Sequence, residues 1–571
     1  MSVAELDSQP KSIQSIYTWF SENKLFVNRR YQRKLVWTLD EKQKLVESVL
    51  KKYPIPAILL AERDTGGYEI IDGLQRLHTL MSFIETGFAT LDGEYFDITG
   101  FPTAKLRANE GLFSPTEGNG LITQREVSTF LDYSMAISIM RGATEAEIDD
   151  VFARINTYGH RLSDQERRQA GVQDEFSDLI RELACEIRGD ASSDILTLDQ
   201  MPSISVDLPM TKHGYSVVAD ETFWVRQGIL RSTDLRDSMD EQCLADMTAS
   251  IISGSVIERS KDTLDGIYED GSSENDRITA ALDAYGKERF ANELKYCIDE
   301  LLQVCESGTP DKLRGIIFSK PSSNAFPAVF AILIIALHES LVGGQRKVAS
   351  YGGIKGAITG LYDRLNTKKG STSPEERRKN IDIIKGLIAS YLVESKVPPV
   401  YGAYSTTDID STIRRSEIEL PHYELKQGLL RLDASRAVDD GVIDRIIRTI
   451  CAIANNGKKH TGSIVIGVTD KEADAERVKQ LYGTEPRKLG SRFVVGVKRE
   501  AAALGEKPEQ YFARLKSKIR NSTLSEPLRG EVLSNMDYND YYGLGLIMIT
   551  IPTQRQWVHL FDRYEYLLFT V

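Results

Sequence analysis

At 571 residues, 41% hydrophobic and 27% charged, the chain has the composition of a folded protein with room for about three or four domains, which excludes a low-complexity or fibrous one. Its formal charge of −12 excludes a uniformly basic surface, yet residues 411–571 hold 25 Lys and Arg against 21 Asp and Glu, so nucleic-acid contact is expected at that end. The longest apolar run, residues 328–337, falls short of the ~20 residues that span a bilayer. Residues 1–11 lack the apolar stretch of a secretory signal, and the expectation is a cytoplasmic protein with no membrane partner. Five widely spaced cysteines without a CxxC pair (Cys185, Cys243, Cys297, Cys305 and Cys451) exclude a disulfide framework or zinc knuckle and predict buried small hydrophobes.

Residues 12–23 predict a short amphipathic helix with Ile13, Ile16, Trp19 and Phe20 on one face. A basic and aromatic stretch follows, Asn28-Arg29-Arg30-Tyr31-Gln32-Arg33-Lys34-Leu35-Val36-Trp37. Thr38 and Glu41 then form a capping box for a helix whose apolar stripe is Leu45, Val46, Val49 and Leu50, and Pro54 and Pro56 stop it. Residues 57–61 and 68–71 are apolar runs of strand length joined by Asp64-Thr65-Gly66-Gly67, a hairpin signal.

The second strand delivers the chain to Asp72-Gly73-Leu74-Gln75-Arg76, read as a tight turn with a helix opening at Leu74. Free N–H groups at such a helix start favour anions, and a guanidinium on the first turn suits phosphate. The alternative reading makes Asp72 a helix cap and Arg76 the partner of a surface carboxylate. Further on, residues 133–140 predict a strand and 145–156 a helix, with Gly159 and a second capping box, Ser163 with Glu166, shaping the polar loop that follows.

Tyr31-Gln32-Arg33 with Val36-Trp37, then Asp72-Gly73-Leu74-Gln75-Arg76, then Arg154-x-Asn156 to Glu166, resemble in order and spacing the ParB-like domain of modification-dependent restriction proteins. That family carries a DGQQR motif and occurs in type IV (GmrSD-like) systems and phage-defence nucleotidases. The resemblance covers about residues 10–175 and implies a nucleotide pocket. In it Asp72 and Gln75 order water, metal or ribose, Arg76 contacts phosphate, Gln32 and Arg33 line the facing wall, and Arg154 and Asn156 close it. Leu74 stands where the family has its first glutamine, so the resemblance implies binding of a nucleoside triphosphate more firmly than its hydrolysis.

Residues 176–400 repeat apolar positions at helical spacing and predict an all-helical middle; no chemistry is read there, and His213 and His338 are expected to be structural or surface residues. Pro398-Pro399 and the Ser/Thr/Asp-rich residues 405–412 read as a linker. Beyond it, residues 416–426 alternate like strand termini, residues 442–455 predict a helix and residues 463–468 a buried strand ending at Thr469-Asp470. Glu419, Glu424 and Asp470 together suit a divalent cation with oxygen ligands, with Lys426 near enough to steady a phosphate; the competing reading is a solvated sheet edge.

Glu419 and Glu424-Leu425-Lys426, the turn near Asn455-Asn456-Gly457, and Ile466-Gly467-Val468-Thr469-Asp470 resemble the Schlafen-type AlbA-like domain over residues 411–571. The resemblance implies a nucleic-acid-binding domain and, by analogy with Schlafen nucleases, an acidic Mg²⁺ or Mn²⁺ site. In this sequence the family's paired glycines are separated into Gly457 and Gly462 by a loop whose Lys458 and Lys459 suit a phosphate backbone, and His460 is a weaker candidate base. Arg514, Lys516, Lys518 and Arg520 give residues 511–520 a basic helical face, the strongest backbone-binding candidate, and residues 545–551 and 564–571 are expected to complete the sheet.

The fold class expected is α+β: a ParB-like N-terminal domain (1–175), a helical middle (176–400) and a Schlafen AlbA-like C-terminal domain (411–571). The function expected is a bacterial antiphage or restriction-type effector in which nucleotide binding, with or without hydrolysis, controls a DNA- or RNA-binding domain able to act as a metal-dependent nuclease. The competing function is a non-catalytic DNA-binding transcriptional regulator. A homo-oligomer is a further partner expectation.

Overall fold

The computed structural model describes residues 5–28, 35–64, 66–116, 118, 120–158, 163–171, 174–189, 195–200, 203–205, 216–366, 372–395, 406–416, 422–455, 461–552, 560–561 and 566–567. The fold is mixed α+β, and the chain divides into two compact units, Met1–Pro399 and Val400–Val571. The expected N-terminal domain and the expected helical middle both lie in the first.

The first unit is built on a six-stranded sheet in the order β1-β5-β3-β4-β2-β6: β1 (Glu5–Ser12), β2 (Leu25–Asn28), β3 (Ile58–Glu62), β4 (Tyr68–Asp72), β5 (Ser134–Arg141) and β6 (Ile195–Thr197). The expected hairpin is β3 and β4, paired antiparallel. Alternation along these strands separates two cores. Leu60, Ile70, Ile137 and Ile139 face one side, which is covered by α1 (Ile13–Ser21), α2 (Leu39–Leu50), α3 (Leu74–Ile84), α4 (Pro102–Asn109) and α5 (Gln124–Leu131). Ala61, Ile71 and Met140 face the other, against Ile148 and Phe152 of α6 (Glu145–Tyr158). The Thr38–Glu41 capping box forms in full, and Ser163 with Glu166 caps α7 (Asp164–Gly171) in the same way. β1 gave no sequence signal because it is polar, contains Pro10 and lies at a sheet edge, where a missing N–H costs no internal bond.

Between residues 176 and 399 helices dominate, centred on Pro327–His338, which is buried on every side. The all-helical expectation is corrected: β6 joins the N-terminal sheet, and short strands also occur at Ser203–Ser205, Ser216–Val218, Arg346–Val348 and Leu392–Glu394. Three residues are too few to show a two-residue period against helical neighbours. Buried ion pairs fasten these helices: Arg188 meets Asp240 at 2.5 Å, and Arg377 meets Asp246 at 2.7 Å. Arg168 of α7 reaches Asp265 at 2.7 Å, tying the end of the N-terminal domain to the helices that follow.

In the second unit a four-stranded sheet runs Tyr423–Lys426, Gly462–Ile466, Leu546–Ile551, Met536–Asn539, the first pair parallel and the rest antiparallel. Helices Asp440–Asn455 and Pro508–Arg520 cover the face that carries Ile464, Ile466, Ile547 and Ile549. Residues 405–412 are not a linker where they are described: Thr406–Arg415 is a helix whose Ile409 and Ile413, one turn apart, seal the opposite face with Val465 and Met548. Two apolar residues among polar ones left little sequence signal. Gly467, at φ 111°, ends the strand Gly462–Ile466 and turns the chain into a separate three-stranded sheet; a Cβ there would lie 2.5 Å from Leu546. The last strand, Tyr566–Leu567, pairs with Leu560–Phe561 and does not extend the main sheet among the described residues. All five cysteines are buried and outside any disulfide, and no helix of the described residues is long and apolar enough to cross a membrane.

Candidate functional sites

The Asp72-Gly73 turn forms where expected. Gly73 adopts φ 99° immediately before α3, and a Cβ at this position would come within 2.2 Å of Ile58 Cδ1, so glycine is required both by conformation and by space. No side chain caps the first turn of α3. Asp72 instead accepts from Arg76 Nη2 at 2.6 Å, while Arg76 Nη1 donates to the carbonyls of Pro56 (2.6 Å) and Ala57 (3.0 Å). Arg76 thus clamps the entry to β3, with only 12% of its side chain exposed.

Gln75 is buried, and its Oε1 accepts from the backbone N–H groups of Val36 (3.1 Å) and Trp37 (3.3 Å). This joins the first turn of α3 to the segment leading into α2. Leu74 is buried in the main core, which explains how an apolar residue is accommodated at this point of the motif. α3 is almost wholly interior, and it carries a polar stripe at helical spacing: Gln75, His78, Thr79, Ser82 and, past its end, Glu85. Thr79 donates to the Gln75 carbonyl at 2.7 Å, and Glu85 accepts from Tyr17 (3.0 Å) and Arg107 (2.9 Å). Beside this network, Glu69 is buried on β4 and accepts from Asn28 at 3.2 Å. Arg154 is 74% exposed on α6 and pairs with Asp150 at 2.9 Å. Gln32, Arg33 and the side chain of Asn156 lie outside the described residues.

Lys42 was not singled out from the sequence. It lies on the inner face of α2 with Leu45, Val46 and Val49, yet it is only 3% exposed and its amine has no hydrogen-bond or ion-pair partner among the described residues. Burial alone lowers its pKa from 10.5 to about 8. The sequence signal existed: a lysine one turn before an apolar pair on the same stripe.

In the second unit Glu424 and Lys426 share one face of the edge strand and form an ion pair with each other. The Lys426 carbonyl accepts from Gly467 N–H at 2.7 Å, which brings the end of this strand beside the turn that leads to Asp470. Asp470 is 57% exposed and lies 3.9 Å from Arg492, whose guanidinium also donates to the Ser416 carbonyl at 2.6 Å. Glu419, Lys458, Lys459 and His460 lie outside the described residues, as does His213 of the first unit. Among the described residues no three His, Cys, Asp or Glu side chains converge as metal ligands. Glu424 and Asp470 are the described members of the expected trio, and Lys426 pairs with the first of them.

Helix Pro508–Arg520 buries Tyr511, Leu515 and Ile519 and turns its basic residues outward. Two of the four are neutralised locally: Arg514 pairs with Glu506, and Lys518 with Asp440 at 3.2 Å. Lys516 lies over the Phe512 ring at 4.9 Å, and Arg520 is exposed. A further polar cluster was missed from the sequence. Glu500 is fully buried, accepts from the N–H groups of Leu429 (2.7 Å) and Leu430 (3.2 Å) and from the Tyr511 hydroxyl, and burial raises its pKa. It fixes the loop that leaves the strand bearing Glu424.

The first unit thus presents an α+β domain in which a strand, a glycine turn and a buried helix with a polar stripe follow one another. Residues 16–172 match the family model of the GmrSD restriction endonuclease, N-terminal domain, a little over a quarter of the chain. The match runs from α1 to the end of α7 and contains the Asp72-Gly73 turn. No curated protein matches the chain.

Proposed function

We propose that the chain is a restriction-type phage-defence effector in which a ParB-like N-terminal domain binds a nucleotide and controls nucleic-acid binding by a Schlafen AlbA-like C-terminal unit. The observation that carries this reading is the match of residues 16–172 to a domain of restriction endonucleases. The geometry supports the nucleotide half: a helix start without a side-chain cap, joined through Gln75 to the segment before α2, offers backbone donors to an anion. Arg76 maintains this shape by holding the strand entry. Nucleic acid is met in the second unit through Lys516 and Arg520, the two members of the basic helix with no acidic partner among the described residues.

Metal-dependent cleavage is the finest part of the reading. It requires Glu419 to join Glu424 and Asp470, and Lys426 to release Glu424; the cation would then bind through three carboxylates. The test is to incubate the full-length protein with labelled ATP, GTP and CTP, and with DNA and RNA, with and without Mn²⁺. Saturable binding of a nucleotide and of a nucleic acid is expected. A protein that binds neither ends the proposal, and duplex binding unchanged by EDTA, with no shortening of the duplex and no nucleotide bound, replaces it with a DNA-binding regulator.

A further inference from the structure

The second unit holds a buried charge pair that neither candidate site uses. Arg499 and Glu500 are adjacent in the chain, both are enclosed, and they meet at 3.2 Å. A buried ion pair adds little stability over a well-packed apolar pair, and its best-attested use is to fix how neighbouring segments sit against one another. Arg499 is not optimised for stability, because its Nε and Nη1 are buried without a hydrogen-bond partner among the described residues.

The partners of the pair join two elements. One is the loop that leaves the strand Tyr423–Lys426: Arg499 Nη2 donates to the carbonyl (2.8 Å) and to Oε1 (2.5 Å) of Gln427, and Glu500 Oε2 accepts from the N–H groups of Leu429 and Leu430. Gly428, between them, leaves room for this approach, since a Cβ there would collide with the Glu500 carboxylate. The other is helix Pro508–Arg520, whose buried Tyr511 donates its hydroxyl to the same Oε2. Lys516 and Arg520 follow on that helix, and Glu424 and Lys426 lie on that strand. A single carboxylate oxygen thus holds both the basic helix and the exit of the edge strand.

We propose that Glu500 is a positioning residue that ties the nucleic-acid-binding helix to the end of the strand bearing Glu424 and Lys426, so that nucleic acid held by the helix steadies that strand end. This rests on the nucleic-acid reading of the second unit given above. The Leu429 and Leu430 amides exchange with solvent only when Glu500 lets them go, and Glu500 is itself restrained through Tyr511. Pinning the helix makes that release rarer.

The experiment measures amide hydrogen exchange of the full-length protein, free and saturated with a DNA duplex or a single-stranded RNA, in wild type, Tyr511→Phe and Glu500→Gln, with binding followed by fluorescence anisotropy. In wild type the nucleic acid is expected to slow exchange at Leu429 and Leu430 by about 10-fold. Tyr511→Phe leaves Glu500 on the loop and Lys516 and Arg520 untouched, so it is expected still to bind but to lose the slowing. Glu500→Gln offers a weaker, neutral acceptor and is expected to exchange faster at both amides in the free protein and to lose the slowing as well. Wild type that binds without slowing at these amides, or slowing in Tyr511→Phe as large as in wild type, overturns the link and leaves the nucleic-acid reading intact. If Tyr511→Phe fails to fold, Glu500→Gln decides alone, and slowing as large as in wild type overturns the link. Wild type that binds neither probe overturns both.

Discussion

The two candidate sites are built in opposite ways. Around Asp72-Gly73 most polar groups are interior and engaged: Gln75 is fixed by two backbone N–H groups, Arg76 by the partly exposed Asp72 and two carbonyls, and Glu85 by Tyr17 and Arg107. Around Glu424 they are shallow, on an edge strand and a loop, with charges cancelled in pairs. The difference teaches where each site keeps its spare capacity. A buried network holds a fixed shape, with its charges already engaged by their neighbours. A surface site holds little shape, and its charges become available only when their local partners let go.

Perturbations should therefore cost folding in the first site and cost mainly function in the second. The largest effect is expected at the turn: Gly73→Val combines a strained φ with a clash against Ile58 and should destabilise the first unit by about 3 kcal/mol, read as a lower denaturation midpoint. Arg76→Ala frees Asp72 and strips two carbonyls of their donor, for a loss of about 1–3 kcal/mol; an unchanged midpoint would contradict its role as a clamp.

Lys42 gives a pH signature. Its folded pKa, about 8, lies below its ordinary 10.5, so the folded state binds fewer protons in that interval. Stability should rise as pH increases from about 8 to 10.5, and the rise should be smaller in Lys42→Met; identical pH profiles would contradict the unpaired amine. Glu424→Ala in the second unit should change stability by less than ~1 kcal/mol, since its ion pair lies on an edge strand and is partly exposed, while removing any Mn²⁺-dependent cleavage that wild type shows. The smallest effects belong to the basic helix. Lys516→Ala and Arg520→Ala should each reduce the salt slope of nucleic-acid binding by about 1, and Arg514→Ala by less because Glu506 already holds it.

The same contrast explains what could be read from the sequence. Local chemistry was legible: the Thr38–Glu41 and Ser163–Glu166 boxes, the β3–β4 hairpin and the Gly73 turn each depend on residues a few positions apart. Partnerships with distant backbone were not. Nothing in Arg76 announces that its acceptors are carbonyls 19 and 20 residues earlier, and nothing in Glu500 announces Leu429 and Leu430. Elements with little apolar content were missed for the same reason: β1 takes its identity from pairing with β5, and Thr406–Arg415 takes its identity from two isoleucines pressed on a sheet. Lys42 stood in plain view, but a lysine at the end of an apolar stripe normally extends its amine to solvent, and only the packed fold shows it enclosed.

The most direct measurement is a calorimetric titration of the full-length protein with ATP, GTP and CTP. Saturable binding of at least one nucleotide is expected. Wild-type protein that takes up no nucleotide at any pH between 7 and 9 would contradict it.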